Sequence, residues 1–220
     1  PEAELIDWLY MPEETPEIAE WTLKLAEHHP GKTVMLYNFE SGIEIVQEGK
    51  MRCGGDYWHS QIGPGEPFRK MALAAQSVHV GTGAKIQVAC SHEMATVPEV
   101  PVPGLLYDKY KAMWKLGVTH VMQCWYFGNY PGLMSRTAGE LSFHEFHTSK
   151  EEFLYGIAWR DWHEHAEEAV RAWLAFESAY GNYPLSKLFQ YYGPMHDGII
   201  WPLYPLYAGI PLAPTWIQWM

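Results

Sequence analysis

The feature that most constrains this chain is an alternation of apolar runs with amphipathic segments over its first 126 residues. Leu5 to Tyr10 is a short apolar run ending at Met11-Pro12, which reads as a strand running into a loop. Pro16 opens an amphipathic stretch to His29, with Ile18, Trp21 and Leu25 at helical spacing and Pro30-Gly31 as its stop. Thr33 to Asn38 is a second strand, and residues 43–63, with alternating apolar positions and glycines, suggest a hairpin excursion. A helix follows over Pro67 to Val80, with Gly81-Thr82-Gly83 as its terminator. Lys85 to Cys90 is a third strand, Leu105 to Leu116 a helix stopped by Gly117, and Val118 to Tyr126 a fourth strand.

Such an alternation calls for parallel strands, because each crossover must bring the chain back to start the next strand at the same end of the sheet. Apolar runs at all four strands predict a sheet covered on both faces. The predicted fold class is therefore α/β, with four parallel βα units over residues 1–131, half of a (β/α)8 barrel. A doubly wound sheet is the other architecture with this order, but neither GxGxxG nor GxxxxGK[ST] occurs. Residues 132–220 read as a helical extension. Glu151 to Tyr180 carries Trp159, Trp162, Ala166, Val170, Trp173 and Phe176 at a three- to four-residue period, predicting one long helix. The tail beyond it holds prolines at 184, 194, 202, 205, 211 and 214 among tyrosines and tryptophans.

Composition narrows the function classes. Lys plus Arg number 15 against 26 Asp plus Glu, a net charge of −11, so a phosphate backbone or an anionic membrane finds no basic face. No run of eighteen apolar residues is present, so no membrane span is expected. Three cysteines (Cys53, Cys90, Cys124) without CxxC spacing support neither a zinc ribbon nor a disulfide scaffold, and unpaired thiols point to the cytoplasm. Pro1-Glu2-Ala3-Glu4 reads as a cut end, so a leader could be missing and the chain reads as a piece of something larger. Eleven histidines raise a metal site, but the i,i+3 pair His144/His147 and the i,i+2 pair His163/His165 lack HExxH spacing, and no metal or cofactor is expected. No GxSxG elbow is present.

Catalytic groups of parallel barrels lie where strands give way to the following loops. At those positions stand Glu40 after the second strand, His92 and Glu93 after the third, and Trp125, Tyr126 and Asn129 at and after the fourth. Asp56, Tyr57 and Trp58 lie on the excursion. Two carboxylates at one level, with flat apolar rings nearby, are the inventory for hydrolysing a glycosidic bond. Each has a plainer reading: Glu40 and Glu93 as solvated loop residues, Trp125 as core, Asp56 to Trp58 as a cross-strand cluster.

The strand ending in Glu93, the Val97 to Pro103 loop and the run Val121 to Pro131 resemble the last two strands of barrel glycoside hydrolases of the large retaining clan. With Asp56-Tyr57-Trp58 and Tyr191 to Pro194, the chain is also similar to bacterial glycosidase-like proteins of poorly defined activity. The resemblance implies that Glu93 is the nucleophile and Trp125 the platform under the sugar. That clan carries its acid/base in an Asn-Glu pair, and this chain has none. The acid then lies in the remaining half of the barrel, on the same or another chain, or is Glu40. A Glu40–Glu93 carboxylate separation of about 5–5.5 Å would suit retention and about 6.5–9.5 Å inversion. The expected function is hydrolysis of an oligo- or polysaccharide. The alternatives are a non-catalytic carbohydrate-binding or structural fragment, and a metal-dependent hydrolase.

Overall fold

A computed structural model describes residues 3–10, 16–29, 32–54, 58–89, 91, 99–123 and 131–183. The elements in chain order are β1 (Leu5–Trp8), α1 (Pro16–His28), β2 (Thr33–Asn38), β3 (Glu44–Gln47), β4 (Lys50–Cys53), α2 (Glu66–Ser77), β5 (Gly81–Ile86), α3 (Pro103–Lys115) and β6 (His120–Gln123). Three helices follow: α4 (Leu133–Leu141), α5 (Lys150–Trp162) and α6 (Ala166–Tyr180).

The chain is α/β. Four strands form one parallel sheet in the order β1-β2-β5-β6, so spatial order follows chain order. β3 and β4 form a separate antiparallel hairpin, the predicted excursion. Right-handed crossovers in a sheet wound in one direction place their helices on the same face. α1 and α2 pack side by side, and α2 lies on β2 and β5.

Burial grades across the sheet. Every residue of β2 is buried, and so is β5 from Thr82 to Ile86, whereas β1 leaves Leu5 and Ile6 exposed and β6 alternates. The expected double cover therefore holds for the two inner strands and fails at the outer pair, where only one side has a neighbouring strand among the described residues. On α1, Leu25 packs on the core but Trp21 stays exposed, so the predicted apolar face is only partly used.

The third strand is not Lys85 to Cys90, as predicted, but Gly81–Ile86. The two glycines taken as a helix stop are strand residues placed for contact with β2. A Cβ on Gly81 would stand 3.0 Å from Val34 Cγ2, and one on Gly83 3.1 Å from Leu36 Cβ. Glycine in a strand marks such close approach. The predicted helix over 67–80 ends at Ser77. The fourth strand covers His120–Gln123, and positions 124–126 of the predicted strand lie outside the described residues.

Beyond Pro131 the single long helix expected over 151–180 is two helices. His163, with φ of 44°, breaks the run, and His163–His165 form a 3-10 turn rather than a helix surface. α4 falls in the stretch read as a helical extension, yet its Met134, Ala138 and Leu141 join the same core as the sheet. α5 starts on Ser149, whose side chain accepts from the Glu152 amide, a capping arrangement that satisfies an otherwise open donor. α5 and α6 pack against each other around Leu154, Ile157, Ala166, Val170 and Trp173, and both contact α3.

Candidate functional site

The C-terminal end of β2 is fixed from several directions. The Phe39 amide donates to the Lys85 carbonyl at 2.9 Å, carrying the ladder one residue past the strand, and Gly65 N donates to Phe39 O at 2.8 Å. Gly65 has no room for a side chain, since a Cβ would fall 1.7 Å from the Ser41 carbonyl oxygen. Glu40 thus sits in a clamped turn and is completely buried.

Glu40 meets a lysine there. Lys109, on α3 and also completely buried, donates from Nζ to Glu40 Oε1 and, at 3.1 Å, to the Trp58 carbonyl. The Gln87 amide, just past β5, points at the same carboxylate oxygen at 3.4 Å. One side chain from α3 therefore joins the end of β2 to the hairpin's return segment, and the same carboxylate faces the end of β5. Buried charges persist when paired and hydrogen-bonded in this way.

His59 lies beside this pair, 1 % exposed. Burial first, and then the Lys109 charge, hold its pKa well below the ordinary histidine range, so the imidazole is neutral. Its ring meets Tyr180 edge to face at 5.9 Å, and the Tyr180 hydroxyl lies 3.2 Å from Ser91 Oγ. On the β1 side, the Trp8 indole donates to Asn38 Oδ1 at 3.1 Å. Gln87, Glu40, Lys109, Trp58, His59, Tyr180 and Ser91 make a connected layer of polar groups and rings at the C-terminal ends of the strands.

Two adjoining features frame the layer. A cleft of about 460 Å³ opens where the chain leaves His59, lined by Ile43, Ile45, Ser60, Gln61, Leu174 and Glu177 among others. Across the β5 loop, the Glu99 amide donates to the Ala89 carbonyl at 2.7 Å, a clasp between the two sides of that loop. The Glu99 carboxylate accepts from the Met134 amide at 3.1 Å, at the start of α4.

Of the residues singled out from sequence, Glu40 and Trp58 are brought together through Lys109. Trp58 is fully buried, with its indole 6.5 Å from the Tyr183 ring and no exposed face. Glu93, His92, Trp125, Tyr126, Asn129, Asp56 and Tyr57 lie outside the described residues. Ser91, two positions before Glu93, is buried within the layer. Among the described residues no three His, Cys, Asp or Glu side chains converge as a metal site would require. No described helix is long and apolar enough to cross a membrane.

Sequence reasoning missed Lys109, Gln87 and Tyr180. For Lys109 a signal existed: Leu105, Leu106, Tyr110 and Met113 are buried on α3, and position 109 falls inside that stripe. A lysine in the middle of an apolar stripe needs a buried acid, and Glu40 is that acid. Comparison of the chain with protein-family models, with curated proteins and with solved structures finds no match.

Proposed function

We propose that this chain supplies part of a (β/α)8-type glycoside hydrolase, with its reacting groups in the loops that follow β5 and β6. The observation that carries this reading is the buried polar layer at the C-terminal ends of a sheet wound in one direction, the end where barrel enzymes place their chemistry. In this reading Glu93, two residues past the anchored Ser91, attacks the anomeric carbon or activates the water that does. A carboxylic acid protonates the leaving oxygen. Glu40, enclosed with Lys109, acts as a positioning residue that holds the turn after β5. The remaining strands of such a barrel, on the same or another polypeptide, are the partner it requires.

The test is turnover of a panel of p-nitrophenyl glycosides by the protein before and after Glu93→Gln. A loss of about 10²–10⁴-fold is expected for removal of a catalytic carboxylate. Unchanged turnover would take Glu93 out of the chemistry, and full turnover by the 220-residue chain alone would remove the need for further strands.

A second reading, a non-catalytic carbohydrate-binding fragment, is favoured by one observation: Glu40 is enclosed by Lys109 rather than presented to solvent. Saccharide binding with no turnover in any assembly would select it.

A further inference from the structure

A second cleft, of about 820 Å³, lies outside the buried layer, between α4, α5, α6 and the segments at Pro101 and Pro131. Its size falls within the range of small-molecule sites, roughly 300–1,000 Å³. Its walls combine two kinds of surface. Trp162 and Phe176 are about half exposed, at 52 % and 53 %, and Trp173 closes the wall between them and the helix core. Large rings on a helix surface leave apolar area in water unless something covers it.

The polar part is charged but nearly balanced. The Arg136 guanidinium meets the Asp161 carboxylate through both oxygens, one contact at 3.1 Å, and both side chains remain partly exposed. His165 and Glu168 complete the polar lining. Glu168 is itself paired with Arg171 at 3.3 Å, so each carboxylate already faces a guanidinium and neither sign of charge is left over for an ionic ligand. A cation would have to displace Arg136 from Asp161 or Arg171 from Glu168. A neutral ligand rich in hydroxyls suits both signs, because a hydroxyl donates to a carboxylate and accepts from a guanidinium. The rings then cover the C–H faces of such a ligand, as flat apolar surfaces do.

Position adds to this. Pro101 belongs to the segment between β5 and α3, and Pro131 and Gly132 to the segment between β6 and α4. The cleft therefore borders the same two connections that carry Glu93 and Trp125 in the sequence.

We infer that this cleft binds a neutral oligosaccharide, gripping sugar units away from the bond that is cleaved, with Trp162 and Phe176 as stacking faces. The inference rests on the hydrolytic reading for what the binding serves, but not for the binding itself. Calorimetry on the full chain with cellohexaose, xylohexaose, mannohexaose and maltohexaose tests it. Binding of at least one hexasaccharide is expected, weakened at least about tenfold by Trp162→Ala and by Phe176→Ala. Phe143→Ala, at a 90 % exposed ring that does not line the cleft, should leave the affinity unchanged. Turnover of p-nitrophenyl monosaccharides should be unaffected by either cleft variant. Glu93→Gln should keep hexasaccharide affinity. No binding of any of the four sugars, or wild-type affinity in both cleft variants, would overturn the inference. Loss of turnover in Glu93→Gln alongside those results would leave the hydrolytic reading standing. Binding without turnover in any assembly that supplies the remaining strands would do the reverse.

Discussion

The sheet end and the C-terminal helices hold charge in opposite ways. At the sheet end, Glu40 and Lys109 are both 0 % exposed and face each other inside the core. Among the helices, ion pairs bridge elements near the surface: Arg136 of α4 with Asp161 of α5, Arg160 of α5 with Glu140 of α4, and Lys150 of α5 with Asp108 of α3 and Glu177 of α6. The difference teaches that a buried pair binds its two members to each other, since losing one leaves the other uncompensated in the core, whereas a surface pair is a modest addition to contacts already made.

The strongest way to break the comparison is Lys109→Met. It strips the Glu40 carboxylate of its ammonium and should cost about 3–5 kcal/mol in urea unfolding, with much of the loss recovered by adding Glu40→Leu. A double variant as unstable as the single would mean that the two groups are not coupled.

The second effect sharpens the same region through pH. His59 stays neutral when folded, but unfolded it takes up a proton below about pH 6.5, its ordinary value. The unfolded state then binds more protons, so stability is unaffected above that pH and falls as pH drops below it. The His59 share of the slope is at most about 1.4 kcal/mol per pH unit. Urea unfolding from pH 7.5 to 5 should show a shallower decline in His59→Gln, and equal slopes would mean that His59 protonates in place.

The smallest effect belongs to the helices. Its hydrogen bond to Arg136 holds the Asp161 carboxyl below the usual carboxylate range, so any stabilisation is present above that range and lost as pH falls through it. Arg136→Gln should cost only about 0.2–1 kcal/mol, less still in high salt. A loss as large as that of Lys109→Met would erase the contrast between the two regions.

The sequence showed where strands and helices alternate most clearly at β2, whose Val34 to Tyr37 run is apolar on both faces. Thr33–Asn38 was legible to the residue and α3 to within two, while the excursion read over 43–63 holds its hairpin only in Glu44–Cys53. It failed where one residue type serves two purposes. Gly81 and Gly83 read as a terminator because glycine stops helices, yet here the missing Cβ admits Val34 and Leu36. His163 gave no breaker signal, because a non-glycine residue at positive φ has no local signature. Of the site, Glu40 was visible from its place after a strand. Lys109, 69 residues away, became its partner only through tertiary packing.

The clasp between Ala89 and Glu99 carries one more consequence. It turns the intervening span into a ring closed by the scaffold, with β5 on one side and the start of α4 tied to the other through Glu99. The length of such a ring is almost an independent variable, since doubling it adds only about 0.6 kcal/mol of closure entropy. A change in the number of residues between Ala89 and Glu99 can therefore be made without re-registering the strands, as long as the two clasped ends and Ser91 are kept.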